Sequence, residues 1–193
     1  MVQKRKILIV DGHPDPDPAR FVHALARAYE DGAREHDTRL LTLANIDVPM
    51  LRTTSDWLEG EPSEVIASAQ ADIAWSEHIV LFYPLWLGDV PALLKAFLEQ
   101  VMRPGFALRQ RESGLPDKLL KGRSARIVVT MGMPALFYQL YYRAHSVRSL
   151  ERNILRFVGL RPVKRSIIGG VDASEQRRLD WLREMGKVGA AGT

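Results

Sequence analysis

"FYPLWLGDVPALLKAFLEQV" occupies Phe82–Val101. It closes an apolar run, "HIVLFYP" (His78–Pro84), which reads as a strand buried on both faces. The helical pattern restarts at once. Val90, Leu93, Leu94, Phe97, Leu98, Val101 and Met102 recur at the spacing of one helix face, with Lys95, Glu99 and Gln100 opposite. The spacing predicts a helix over Val90–Met102, with Pro91 in its first turn and Asp89 as its cap. Between strand and helix stand Trp86 and Gly88. A large indole in so short a turn, at the end of a buried strand, needs a partner.

The same alternation runs through the chain. "KILIVD" (Lys6–Asp11) predicts a first strand, and the proline-rich "GHPDPDP" leads into a helix over Ala19–Arg34. On that helix Phe21, Val22, Leu25, Ala28 and Tyr29 share a side. A second strand is expected at Thr38–Leu43, followed by an irregular connection through Asp47–Pro62. Ser63, read as an N-cap, opens a helix to Trp75. After the third strand and its helix comes a polar loop, then a fourth strand at Ala125–Gly132. A mostly helical stretch follows over Tyr138–Val158. A weaker fifth strand, "VKRSIIGG", precedes a closing helix over Ser174–Val188 with Leu179 and Leu182 inward.

Strands alternating with helices imply a parallel sheet covered on both faces. With 193 residues, no repeat and no linker, we expect one α/β domain over residues 1–193: a doubly wound five-stranded sheet of order 2-1-3-4-5. Ligands bind such sheets at the carboxyl ends of the strands, where the winding reverses between the first and third strands. That singles out the loops His13–Pro18, Tyr83–Pro91 and Thr130–Pro134.

Composition narrows the chemistry. There is no cysteine, so thiolate nucleophiles, iron–sulfur ligation and cysteine zinc sites are excluded. The apolar run in "MVQKRKILIVDG" is too short for a signal peptide, and no stretch reaches the length needed to cross a bilayer, so a cytoplasmic protein is expected. The net charge of +4 favours an anionic ligand. There is no P-loop, no G-x-G-x-x-G after the first strand, no G-x-S-x-G elbow and no H-E-x-x-H, and no metal site is expected. Arg148, Arg152 and Arg156 recur every four residues. They read as a solvated helix face or as a clamp for cofactor phosphates; base-reading side chains beside them are lacking, which argues against nucleic acid.

The three loops suit a flat ligand with an anionic tail. The first runs into a helix N-terminus, with His13, Arg20 and Phe21 at the place of a phosphate. The second, Pro84, Leu85, Trp86, Leu87 and Gly88, offers a ring for packing and backbone donors. The third, Thr130, Met131, Gly132 and Met133, offers small residues and more backbone donors. This describes a flavin site.

The motifs carry a resemblance. "PLWLGDVPALLKAFLEQV" is similar to the P-x-x-W-x-x-P-A-x-L-K signature of the NAD(P)H:quinone oxidoreductase family, flavodoxin-like flavoproteins. "KILIVDGHPDPDPARF" and "FVGL" resemble that family's first strand with its helix entry and its F-x-G segment. The resemblance implies a bound flavin, FMN or FAD, and hydride transfer from NAD(P)H to a quinone. It also implies a homodimer with sites at the subunit interface. It places His145, with Tyr138, Tyr141 or Tyr142, beside the pyrimidine side of the flavin; Tyr138 is best spaced. Trp86, Phe106 and Tyr138 are expected to line the substrate pocket, with donor and acceptor taking turns at one stacking position. Leu87 replaces a common second aromatic, "FALRQ" lacks tyrosines, and Ala19 and Val22 stand where the family has Ser or Thr and Asn. Two other roles fit the fold: an electron carrier, which the positive charge opposes, and a flavin-binding regulatory subunit of a potassium efflux transporter.

Overall fold

The computed structural model describes residues 3–193. Its main sheet has five parallel strands: β1 (Lys6–Asp11), β2 (Asp37–Thr42), β3 (His78–Pro84), β6 (Ser124–Met131) and β7 (Val163–Gly169). A two-stranded antiparallel ribbon, β4 (Leu108–Arg109) and β5 (Asp117–Lys118), precedes β6 within the stretch read as a polar loop. The strand order is β2-β1-β3-β6-β7, which is the doubly wound order 2-1-3-4-5 of the main strands.

Alternate residues of the strands feed two cores, as the period of two requires. Leu8, Val10, Ile79, Leu81, Ile127 and Val129 pack with α3 (Glu64–Trp75) and α4 (Ala92–Val101). Ile7, Ile9, Val80, Phe82 and Val128 pack with α1 (Phe21–Gly32) and α8 (Glu175–Ala190). The α1–α8 contact is close: a Cβ on Gly32 would lie 2.0 Å from the Gly186 carbonyl oxygen.

Several local readings are corrected. Leu179 is exposed; only Leu182 of that pair packs inward. Ser63 makes no side-chain cap, whereas Ser174 caps α8 by accepting from the Arg177 N–H. The helix after Trp86 begins at Ala92, with Pro91 just before it, and the Asp89 carboxylate accepts only from Val90 N–H. Gln100, assigned to the polar face, is buried and donates to the Pro49 carbonyl. The Asp47–Pro62 connection contains a short helix, α2 (Thr54–Leu58), closed by a Thr53–Asp56 capping box.

The stretch Tyr138–Val158 is not one helix. It comprises α5 (Ala135–Leu140), α6 (His145–Ser149), a π-helical turn (Leu150–Leu155) and α7 (Arg156–Val158). Arg143 and Ala144 separate the first two, with φ of 52° and 47°. The buried Glu151 carboxylate anchors the π turn through Arg156 and, on β7, Arg165. Arg148, Arg152 and Arg156 are all exposed, and Arg156 is committed to Glu151.

His78 opens β3 fully buried. Its Nδ1 meets the Ser124 hydroxyl at 2.7 Å, and its Nε2 has no partner. Burial, then the charges of Arg5, Arg126 and Lys164, push its pKa down to about 3. The folded ring stays neutral while the unfolded one protonates below about pH 6.5. Its stabilising contribution is therefore complete above that pH and lost as pH falls toward 3. Acid unfolding should show a loss of about 3–6 kcal/mol across that window, and His78→Gln should flatten it, as read by urea titrations at each pH.

Candidate active site

The carboxyl ends of β1, β3 and β6 bring the three loops together. Gly12 N–H donates to the Phe82 carbonyl at 2.7 Å, and Leu85 N–H donates to the Thr130 carbonyl at 2.7 Å. These bonds splice each loop to the neighbouring strand and fix their relative heights.

The second loop is a two-residue hairpin turn. Trp86 and Asp89 exchange N–H···O bonds of 2.9 Å each way, around Leu87 at φ 47° and Gly88 at φ 81°. Positive φ at both central residues is the type I′ pattern. Gly88 suits it. Leu87 does not, at a cost of about 1–2 kcal/mol, and its side chain projects fully into solvent. Trp86 is 49% exposed. Strain and an exposed apolar pair at the switch point mark this turn as a contact surface. Beside it, Trp86, Val90, Lys95, Leu150 and Ile154 line a cavity of about 460 Å³.

His13 meets Trp86 edge-on, with ring centroids 5.8 Å apart. Its Nδ1 accepts from Asp15 N–H, so the proton sits on Nε2. Burial, reinforced by His23, lowers its pKa and keeps the ring neutral. His145 closes the other side: a Cβ on Gly88 would lie 3.9 Å from its Cε1. The exposed His145 ring donates from Nδ1 to the Tyr142 carbonyl at 3.2 Å, leaving Nε2 without a partner among the described residues.

Of the three tyrosines, Tyr138 is 1% exposed, with its hydroxyl 2.6 Å from Ser146 Oγ. It has no face for a ligand; it pins α5 to α6 as a positioning residue. Tyr142 is the tyrosine beside His145, with centroids 6.4 Å apart, and Tyr141 stacks on Phe137. Phe106 packs half-buried against the core and is not among the residues lining the cavity beside Trp86. Pro84, Thr130 and Met131 are buried strand-end residues; Gly132 is exposed, Met133 half-buried. A Cβ on Gly132 would lie 3.2 Å from Asp172 Oδ2, which places an unanticipated carboxylate at the third loop.

The buried pair Asp11–His23 was also missed. Asp11 Oδ2 lies 2.5 Å from His23 Nδ1, and His23 Nε2 is 2.9 Å from the Asp15 carbonyl oxygen. Both ring nitrogens thus lie within hydrogen-bond reach of an oxygen. The signal was faint, because the partners are twelve residues apart on different elements.

A flavin finds much of what it needs at the ring end. The N–H groups of Leu87, Gly88, Gly132 and Met133 have no acceptor among the described residues. With Trp86 and His145 they supply an aromatic surface, edge donors and an open imidazole nitrogen. The phosphate end fits less well. Phe21 and Val22 N–H groups are free at the start of α1, but Arg20 is paired with Asp15 at 2.8 Å and Asp17 at 3.2 Å.

A family model described as flavodoxin-like fold matches residues 5–187. The chain belongs to the flavodoxin-like fold family. Among the chain's relatives, the FMN-dependent NADH:quinone oxidoreductase 1 of Colwellia psychrerythraea is 29% identical over 104 residues, covering 54% of this chain and 52% of that protein. The match thus spans about half the length of that relative. The structure of an NAD(P)H:quinone oxidoreductase from Methanothermobacter marburgensis superimposes with a TM-score of 0.80 at 21% identity, covering 97% of this chain and 96% of that one. An FMN-dependent NADH-azoreductase from Bacillus anthracis, solved in complex with FMN, gives 0.76 at 16% identity, covering 96% and 98%. At these identities the structural likeness establishes the fold.

Breaking the Asp11–His23 pair strands a buried carboxylate under the first loop. His23→Leu should cost about 3–5 kcal/mol of stability, measured by denaturant unfolding.

Proposed function

We propose that this chain is a flavin-dependent NAD(P)H oxidoreductase that reduces a quinone or a similar flat acceptor. The observation that carries the reading is the strained, exposed Trp86–Asp89 turn at the switch point, with His13 and His145 on either side. The names of its relatives support the same chemistry and favour FMN over FAD. No described helix is long and apolar enough to cross a membrane; a cytoplasmic setting, where reduced nicotinamide is abundant, belongs to the proposal.

A bound flavin would accept a hydride from NAD(P)H and pass it on. The chain's own residues do the rest. Trp86 and Leu87 give a flat apolar surface that holds planar partners by stacking and keeps water out. The free N–H groups of the second and third loops orient a ring edge. His145, fixed through Nδ1, holds or releases a proton at Nε2. With one stacking surface, donor and acceptor exclude each other, so the mechanism is ping-pong.

The same reading includes a homodimer. The apolar face of α4 is spent inside the chain on Leu94, Phe97, Leu98 and Val101. The surface that supports a partner is α5 and its continuation, where Leu136, Phe137, Leu140 and Tyr141 are exposed. Contiguous exposed apolar residues of this kind mark contact surfaces.

Steady-state NAD(P)H oxidation with menadione, after loading with FMN, should give parallel double-reciprocal lines. Trp86→Ala should weaken FMN binding by about tenfold or more with the fold intact by circular dichroism. A protein that binds neither FMN nor FAD refutes the proposal; binding without turnover returns it to a carrier or a transporter subunit.

A further inference from the structure

The first loop departs from a phosphate cradle in three independent ways. Its backbone donors are already used. His13 N–H bonds Asp11 Oδ1, Asp15 N–H bonds His13 Nδ1, Asp17 N–H bonds Asp15 Oδ1, and Ala19 N–H bonds Asp17 Oδ1. Gly12 and Arg20 N–H groups bond the Phe82 and Asp17 carbonyls. Pro14, Pro16 and Pro18 have no N–H to give. The loop's charges are also wrong. Arg20 stands between Asp15 and Asp17, so the loop surface carries two carboxylates against one guanidinium. The Asp17 N–H, then Arg20, hold the Asp15 carboxyl below its usual range, so it stays charged at neutral pH. Below them the Asp11–His23 pair is self-contained. The next cation on α1, Arg27, lies about 9 Å along the helix from Phe21 and lines a small cavity of about 100 Å³ on the Pro16–Pro18 side of the loop, too small to admit a flavin phosphate with its ribityl chain. Finally, the ligand-facing group of the loop points to the ring end. His13 is nine-tenths buried, its Nε2–H has no partner among the described residues, and its ring abuts Trp86.

We infer that this loop discriminates against the phosphate of a flavin, so that the ring end supplies the affinity and the flavin exchanges with solvent instead of residing. The inference rests on the flavin reading above. A phosphomonoester brings close to two negative charges at neutral pH. To settle on Phe21 and Val22 N–H it must approach Asp15 and Asp17 or break the turns they hold. Riboflavin carries the same ring and avoids both costs.

The test is binding, read by quenching of flavin fluorescence, with FMN and riboflavin titrated separately into the purified full chain. The two should bind within about threefold of each other. Added salt should leave FMN affinity unchanged or raise it, the opposite of a cationic cradle. Asp15→Asn with Asp17→Asn keeps the oxygen acceptors that hold the turns and frees Arg20. That variant should tighten FMN by about tenfold and leave riboflavin unmoved. FMN held more than about thirtyfold tighter than riboflavin by the unaltered chain overturns the inference and leaves the flavin reading standing. So does an FMN affinity that falls steeply with salt, a measurement that decides the matter even if the double variant fails to fold. Binding of neither flavin overturns the reading on which the inference rests.

Discussion

The site depends on one backbone bond, from Gly12 N–H to the Phe82 carbonyl. It joins the last turn of β1 to the penultimate reach of β3, where the winding reverses and the helices depart to opposite faces. A Cβ at Gly12 would lie 2.9 Å from that oxygen and 3.0 Å from Leu94 Cδ2, so only glycine lets the strands stay paired this far. Because the bond holds, His13 emerges at the level of Trp86, the two rings meet in a T-shaped contact, and the Trp86–Asp89 turn has a wall to lean on. The matching bond from Leu85 to Thr130 sets the third loop at the same height.

The sheet was legible wherever burial left a one-dimensional trace. His78–Pro84 is apolar almost throughout because both its faces are covered, and its bounds match the run of side chains. The stretch after Pro134 left no such trace. Its helical spacing continues through Arg143 and Ala144, yet both adopt positive φ, which their side chains do not advertise. Tertiary bonds decide it: Ala144 N–H returns to the Tyr138 carbonyl, and the Tyr138 hydroxyl reaches Ser146 and the Val147 N–H. Leu179 misled for a related reason. Helical spacing says which residues share a face, but not how much of that face the rest of the chain covers.

The candidate site divides along the same line. Trp86 and Gly88 were readable because an indole and a glycine have few other reasons to share a turn between a buried strand and a helix. Tyr138 was not, since three nearby tyrosines look alike in sequence and only packing separates the buried anchor from Tyr142 beside His145. Asp11 and His23 each had an ordinary local reading, a strand-end turn signal and a helix residue. Their pairing exists only once β1 and α1 are packed together.

The proline–aspartate repeat of the first loop shows how one local solution precludes another. Asp15 and Asp17 each turn back on the backbone two residues ahead, and alternating prolines fix φ between them. The result is a stiff loop with its own donors satisfied. A loop that leaves its N–H groups open must instead tolerate unpaired donors until an anion arrives. The two designs cannot share the same few residues. Here rigidity wins at the helix entry, while the open donors are found at Leu87, Gly88, Gly132 and Met133, beside the aromatic turn. On the proposed reading, the binding surface of the switch point lies at its flat, apolar end, where Leu87 carries the strained backbone.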